Sequence, residues 1–271
     1  MSGNRLTKKL RRKLHVKEYD RERERRYLRK RSEEDDVLEE VFDKTTLMTL
    51  YKLMNTGAVR SLHGVISAGK ESRVYEAETS EGTTIAVKIY LVSSAEFRRN
   101  REAYVTFDPR FKRVPSSFRS FVYLWAKREY SNLAKAFEWG VACPQPLFVE
   151  KNILGMTFIG RDEMRFPTLV EIDLSPTEYP RIYKEILENV RRLYMEAGLV
   201  HGDLSVYNIF VTDDVHPILM DFSQAVVLDH PMASTLLERD IGNLVTSFKK
   251  RGVRTGSLEA TLEWVKGRVD E

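Results

Sequence analysis

A single cysteine, Cys143, stands in 271 residues. Internal disulfides are therefore excluded, nothing points to a thiolate metal site, and a buried structural thiol is the expected role. No run of about 18 apolar residues occurs, which excludes an ordinary membrane-spanning helix. Met1 to Lys9 are polar and basic, and no apolar stretch follows them. No secretory signal is read here, so the cytoplasm is the expected compartment, with no membrane partner. Internal repeats are absent. So is the G-x-G-x-x-G loop that cradles phosphates in ordinary kinases, and no A-P-E follows residue 221.

What is present fits a globular chain. Hydrophobic residues make up 42% and charged residues 31%. The length allows roughly two domains at about 100–200 residues each. The net charge of +4 conceals an asymmetry. Residues 1–31 hold 14 Lys and Arg against 4 acids, a balance of +10, and the remaining 240 hold 30 against 36, a balance of −6. The high pI thus comes from an arm, and a basic arm of this kind is able to pair with nucleic-acid phosphates by releasing counterions.

Periodicity divides the rest. Residues 1–31 have no regular apolar spacing. A helical extension over 32–59 carries Leu47, Leu50, Tyr51 and Met54 on one expected face and stops at Gly57. From about residue 60 the pattern becomes β-rich, through Val65-Ile66, Val74–Ala77 and Thr84–Tyr90, and predicts a small antiparallel sheet. Residues 92–121 are rich in arginine and show no clear period, so a flexible basic loop is expected there. A helix from about Val122 to Trp139 follows, then strands near Leu147–Val149 and Leu154–Ile159. The remainder is helical. Ser175-Pro176-Thr177-Glu178 is a capping box, and an apolar stripe runs from Tyr179 to Tyr194 up to Gly198. Further helices are expected over 232–250 and 257–268. A sheet-rich part (60–158) followed by a helix-rich part (159–271) predicts an α+β fold with two lobes.

The chemistry concentrates in Val200–Val211. His201-Gly202-Asp203 is followed by Asn208, five residues after the aspartate, and Asp221-Phe222 comes after the next apolar strand. The order and spacing resemble the kinase pattern H-R-D-x-x-x-x-N followed by D-F-G. Phosphoryl transfer needs a carboxylate to orient the attacking group, and oxygen ligands for a hard divalent ion on the phosphates. Asp203 suits the first task, and Asn208 and Asp221 the second. Upstream, Lys88 in Ile85-Ala86-Val87-Lys88 resembles the V-A-I-K strand. Its expected partner is a helical glutamate, either Glu129 or Glu102. Where the glycine-rich loop would be, Gly64–Tyr75 offers Ser67, Gly69 and Lys70, whose backbone N–H groups, hydroxyl and charge suit phosphate.

Four segments together resemble the RIO family of atypical serine/threonine kinases. Ser67–Tyr75 is similar to S-T-G-K-E-A-N-V-Y, His201–Asn208 to H-G-D-L-S-E-Y-N, Asp221–Val226 to D-[FV]-S-Q-[SA]-V, and Arg239–Asn243 to R-D-x-x-N. The resemblance spans roughly 37–250 and implies a protein-kinase-like fold. With about 60 residues before the signature, it favours the first subfamily in a compact archaeal-like form over the winged-helix second one. It implies ATP with Mg²⁺ or Mn²⁺, transfer to serine on a protein or on itself, or ATP hydrolysis, and a role in small ribosomal subunit maturation. A pre-ribosomal particle or ribosomal RNA would then meet the basic arm and loop. It assigns Val74, Ala86 and Met156 to the nucleotide pocket, backbone groups of Thr157 and Ile159 to adenine, and Asp221 to accepting phosphate with Asp203 as base. Small-molecule kinases of the aminoglycoside and choline type share H-G-D-L-x-x-x-N. A nucleotide-gated RNA-binding assembly factor is the other alternative.

Two absences bear on mechanism. Gly202 stands where H-R-D has arginine, which removes the usual basic partner of a phosphorylated activation loop. Without A-P-E, the ordinary peptide platform is missing as well.

Overall fold

In the computed structural model, residues 42–92, 95–111, 113–162 and 164–267 are described. The basic arm and the extension up to residue 41 lie outside them. Helix α1, Lys44–Asn55, opens the described chain, with the Asp43 side chain accepting from the Thr46 N–H at 2.9 Å. Beyond Met48, Thr49, Leu50 and Leu53 are buried, while Tyr51 and Met54 are exposed. The expected stripe was thus rotated: Leu50 and Leu53, three apart, mark the inner face.

Strands β1 (Ser61–Ala68), β2 (Ser72–Glu78), β3 (Thr84–Tyr90), β4 (Pro146–Glu150) and β5 (Ile153–Thr157) form one antiparallel sheet in the order β1-β2-β3-β5-β4. Strand β3 lies at its centre and is buried on both faces, as its run of Ile, Ala, Val, Ile and Tyr requires. Register sets one face. Val74, Lys88 and Leu154 lie side by side, and so do Glu76, Ala86 and Met156. Because side chains alternate along a strand, all six share a face.

The expected loop at 92–121 is corrected in part. Residues Ala95–Thr106 form helix α2, and helix α3 begins at Phe118, four residues before the expected start, and runs to Glu138. Ser117 caps α3 by accepting from the Ser120 N–H at 3.1 Å. The period of α2 is hard to see because an arginine takes an apolar position. Phe97, Tyr104 and Val105 are buried, and the Arg101 guanidinium, one turn after Phe97, lies 4.5 Å from the Phe97 ring centre and 5.3 Å from that of Trp125.

Beyond the sheet come hairpin β6–β7 (Gly160–Arg161 and Met164–Arg165), helix α4 (Glu178–Met195), and short paired strands β8 (Leu199–Val200) with β11 (Val226–Val227) and β9 (Ile209–Val211) with β10 (Pro217–Leu219). Helices α5 (Ala233–Lys249) and α6 (Leu258–Val265) are the last helices of the described residues. The capping box forms as read. The Glu178 carboxylate accepts from the Ser175 N–H at 2.7 Å, and Ser175 Oγ accepts from the Glu178 N–H at 3.3 Å. Cys143 is buried, and burial pushes its thiol up to about 12. Among the described residues, no helix is long and apolar enough to cross a membrane. The architecture is the expected α+β arrangement, a sheet lobe followed by a mainly helical one.

Candidate active site

The sheet face carrying Val74, Ala86, Lys88 and Met156 meets helix α3. Lys88 Nζ donates to Glu129 Oε1 at 2.8 Å and to Asp221 Oδ1 at 3.0 Å. Of the two glutamates considered, Glu129 is the partner. Glu102 instead accepts from Arg98 at 3.0 Å, one turn away on α2. Burial opposes the charge on Lys88, but the Asp221 and Glu129 carboxylates outweigh it and hold the ammonium well above its usual range. Tyr90, buried beside them, donates its hydroxyl to Glu129 Oε2. Burial and the Glu129 charge raise the phenol, so it stays a donor.

Asp221 adopts φ 60° and ψ 77°, a left-handed conformation that aspartate tolerates better than most residues. Its Oδ1 accepts from the Ser223 N–H at 3.2 Å, which ties down the turn that follows. Partial withdrawal from water works against ionisation of Asp221, whose side chain remains partly exposed, and Lys88 and the Ser223 hydrogen bonds prevail, so its carboxyl titrates far below the ordinary range. Asp203 behaves in the opposite way. Burial, then the charge of Asp221, raises its carboxyl, and Arg239 offsets this only in part. Two carboxylates in one site are thereby pushed apart in acidity. Asn208 Nδ2 donates to the Asp203 carbonyl at 2.8 Å, which closes the loop between them.

Gly202 has a conformational reason to stand where arginine is usual. Its φ is +78°, and a Cβ there would lie 2.6 Å from the Gln224 carbonyl oxygen. The neighbouring His201 is buried. Its Nε2 donates to the Met220 carbonyl at 2.9 Å, and burial lowers its pKa to about 4, so it is a neutral anchor between the two loops.

Several residues of the site went unassigned in the sequence reading. Asp240 on α5 accepts from the Gly202 N–H at 2.7 Å and from the Leu204 N–H at 3.0 Å. Arg239 donates to the Gly202 carbonyl, and Asn243 Nδ2 to that of Leu204 at 3.4 Å. The R-D-x-x-N segment thus clamps the loop at Gly202–Leu204. Gln224 Nε2 donates to Asp203 Oδ2 at 3.2 Å, while Tyr104 of α2 donates to Gln224 Oε1 at 3.2 Å. A signal existed for Asp240, Arg128 and Asn132. Each is a polar residue at a buried position of an amphipathic helix, where the period calls for an apolar one.

Of the residues expected to line a nucleotide pocket, Val74, Ala86, Lys88 and Met156 share the sheet face above, with Ala86, Lys88 and Met156 buried. Ser67 and Lys70 are exposed at the β1–β2 turn. There Gly69 N–H donates to the Ser72 carbonyl at 2.9 Å, and Glu71 is tied to Arg101 of α2. The Thr157 N–H donates to the Gln145 carbonyl at 2.9 Å, and the Ile159 carbonyl accepts from Phe166 at 3.1 Å. Both of those backbone groups are already engaged within the fold.

For metal, the donors on offer are the Asp221 carboxylate and the Asn208 carboxamide oxygen. Among the described residues, no group of three or more His, Cys, Asp or Glu is arranged to hold an ion. Two hard oxygen donors and no thiolate or imidazole fit Mg²⁺ or Mn²⁺ completed by nucleotide phosphates and water, rather than a closed protein cage.

Comparison with known proteins decides the family. The RIO domain profile matches residues 73–261. The chain is 36% identical over 236 residues to the RIO-type serine/threonine-protein kinase Rio1 of Haloferax volcanii, covering 87% of this chain and 79% of that one. This chain belongs to the RIO family of serine/threonine-protein kinases. The RIO chain is also 37% identical over 232 residues to Rio1 of Methanocaldococcus jannaschii, covering 86% and 77% of the two. With human serine/threonine-protein kinase RIO1 it shares 34% over 232 residues, or 84% of this chain but 40% of the human one. The crystal structure of a Rio2 kinase–ADP/Mg²⁺–phosphoaspartate complex from Chaetomium thermophilum superposes with a TM-score of 0.63 at 22% identity, over 82% of the RIO chain and 65% of that chain. That likeness shows the protein-kinase-like fold.

Proposed function

We propose that the chain is an ATP-dependent phosphotransferase in which Asp221 accepts the γ-phosphoryl group and Asp203 serves as base. The observation that carries this reading is geometric: Lys88 Nζ, anchored by Glu129, donates to Asp221 Oδ1 at 3.0 Å, while Asp203 is held by Gln224 at 3.2 Å, and the direction in which each carboxyl is shifted, Asp221 down and Asp203 up, agrees with it. An ionised Asp221 oxygen attacks the γ-phosphorus, the bond to the β-phosphate oxygen breaks, and ADP leaves. Asp203 then takes a proton from water, whose oxygen attacks the acyl phosphate. Inorganic phosphate departs and the Asp221 carboxylate is restored. A seryl hydroxyl in place of that water would yield phosphoserine, on a protein partner or on the chain itself. Lys88 neutralises phosphate charge, and Ser67, Gly69 and Lys70 close over the phosphates. Val74, Ala86 and Met156 enclose adenine, with the Thr157 carbonyl and the Ile159 N–H at its edge. Asp221 and Asn208 would hold Mg²⁺, which shields the charge between carboxylate and phosphate. The phosphoaspartate named for the Rio2 structure supports this chemistry.

The charge asymmetry supports a place for the reaction. An arm of +10 ahead of a body of −6 suits a phosphate-rich partner such as ribosomal RNA in a pre-ribosomal particle. A slow two-step ATPase would act there as a timing switch in small-subunit maturation. The test is to supply ATP and Mg²⁺ and follow γ-phosphate loss. Wild type turns over, Asp203→Ala does not, and a panel of small alcohols stays unphosphorylated. Rapid phosphorylation of a small alcohol would instead support the small-molecule kinase reading.

A further inference from the structure

The four residues after Asp221 are each held from helices α2 and α3 or the turn between them. Asn132 Nδ2 donates to the Phe222 carbonyl at 3.0 Å and to that of Ala225 at 2.9 Å. Arg128 Nη1 donates to the Ser223 carbonyl at 2.8 Å, and its Nη2 to that of Ala225. The Gln224 side chain is held by Tyr104. Arg128 is fully buried, so its charge needs a counter-ion. That ion is Asp108, whose Oδ2 accepts from Arg128 Nε at 3.1 Å. Arg110 completes the group, donating to Asp108 Oδ2 at 2.6 Å and to Asn132 Oδ1 at 2.7 Å.

The arrangement answers a difficulty posed by Gly202. Ordinary kinases lend an arginine from the catalytic loop to order the segment after the metal-binding aspartate, and that arginine is missing here. The clamp comes instead from α3, and its charge is balanced from a turn that the sequence reads as loop. The same helix aims Glu129, the neighbour of Arg128, at Lys88. One rigid element therefore places both partners of the ammonium.

We propose that Asp108, Arg110, Arg128 and Asn132 form a latch that positions Asp221 through backbone 222–225, without any phosphorylated loop. The latch is built on the turn at 107–111. Undocking of that turn would leave Arg128 buried without its counter-ion and loosen the segment that carries Asp221. These are positioning residues: they touch no substrate and act through the backbone. Their role in catalysis rests on the phosphotransfer reading above, whereas their hold on the loop does not.

The experiment compares wild type with Asp108→Ala and with the milder Arg110→Ala, whose side chain is about a quarter exposed. Amide hydrogen exchange is followed without nucleotide, and phosphate transfer from ATP with Mg²⁺ is measured in parallel. Exchange over 221–226 should accelerate by about tenfold or more, while the β9–β10 hairpin at 209–219 stays as in wild type. The turnover number kcat should fall about 10- to 100-fold with KM for ATP within about threefold, because Asp221 is displaced while the adenine face is untouched. If Asp108→Ala fails to fold, Arg110→Ala is read by the same criteria. Unchanged exchange over 221–226 overturns the latch. Faster exchange with unchanged kcat overturns its positioning role. A wild-type protein that leaves ATP intact sinks the phosphotransfer reading and the positioning role that depends on it, while the exchange data still decide whether the latch exists.

Discussion

Lys88 and Asp221, 133 residues apart in sequence, meet at 3.0 Å across the two lobes, and the lysine is the more buried of the two. Its side chain is 6% exposed and that of Asp221 is 42% exposed. The asymmetry determines what each substitution does. Replacing Asp221 by alanine leaves Lys88 paired with Glu129, so the fold should survive. Replacing Lys88 by alanine strands Glu129 without its cation and should cost about 3–5 kcal/mol of stability. Thermal melts of the two variants check this, and equal losses would contradict it.

Activity should also report the elevated Asp203 carboxyl. A base works only when ionised, so kcat should fall on the acid side at a higher pH than an ordinary aspartate would give. The pH–rate profile of wild type should show this acid limb, and residual activity in Asp203→Asn should lack it.

Asp240 makes a separate prediction about stability. Burial raises its carboxyl to about 7, against the opposing hydrogen bonds from Leu204 and Gly202. Its folded pKa therefore exceeds the unfolded one, and between about pH 4 and pH 7 the native state binds more protons than the unfolded state. Stability contributed by this group is fully present below the unfolded pKa and is lost as pH rises through that window. Asp240→Asn pays a constant cost for one unmatched N–H but removes this slope. Melting temperature plotted against pH for both proteins should diverge steadily from pH 4 to pH 7 and run parallel above. Parallel curves throughout would show that Asp240 is ionised across the range.

Much of the site was legible because its chemistry is local. His201 to Asn208, Asp221 and Lys88 lie in short runs whose order and spacing leave few readings, and the Lys–Glu pairing rule pointed to Glu129. Other parts were not legible because their cause lies far away in sequence. Nothing near Gly202 announces that Asp240 will hold its N–H, and nothing near Phe222 announces Asn132. Helix α2 escaped because Arg101 covers aromatic rings from a position where the period wants an apolar side chain. Tyr51 and Met54 misled in the opposite direction, as apolar residues left facing solvent.

Gly202→Ala should damage both fold and activity. The new Cβ would press on the Gln224 carbonyl at 2.6 Å in a left-handed backbone, at a cost of roughly 1–3 kcal/mol. Denaturant titration checks the stability loss. A neutral result would mean that the two loops separate readily.

The arm is tested by truncation. RNA affinity of the full chain should fall steeply with salt, with a slope of about 0.7–0.9 per phosphate contact, and removing residues 1–31 should flatten that slope. Unchanged affinity and slope would leave the arm without a role in binding.

The most direct test of the central claim is the chemical nature of the phosphorylated protein. Wild type and Asp221→Asn are incubated with γ-labelled ATP and Mg²⁺, denatured in acid, and treated with hydroxylamine, which cleaves acyl phosphates and spares phosphoserine. The account predicts label on wild type that hydroxylamine removes, and none of that labile label on Asp221→Asn. Label that resists hydroxylamine and persists in Asp221→Asn would contradict it.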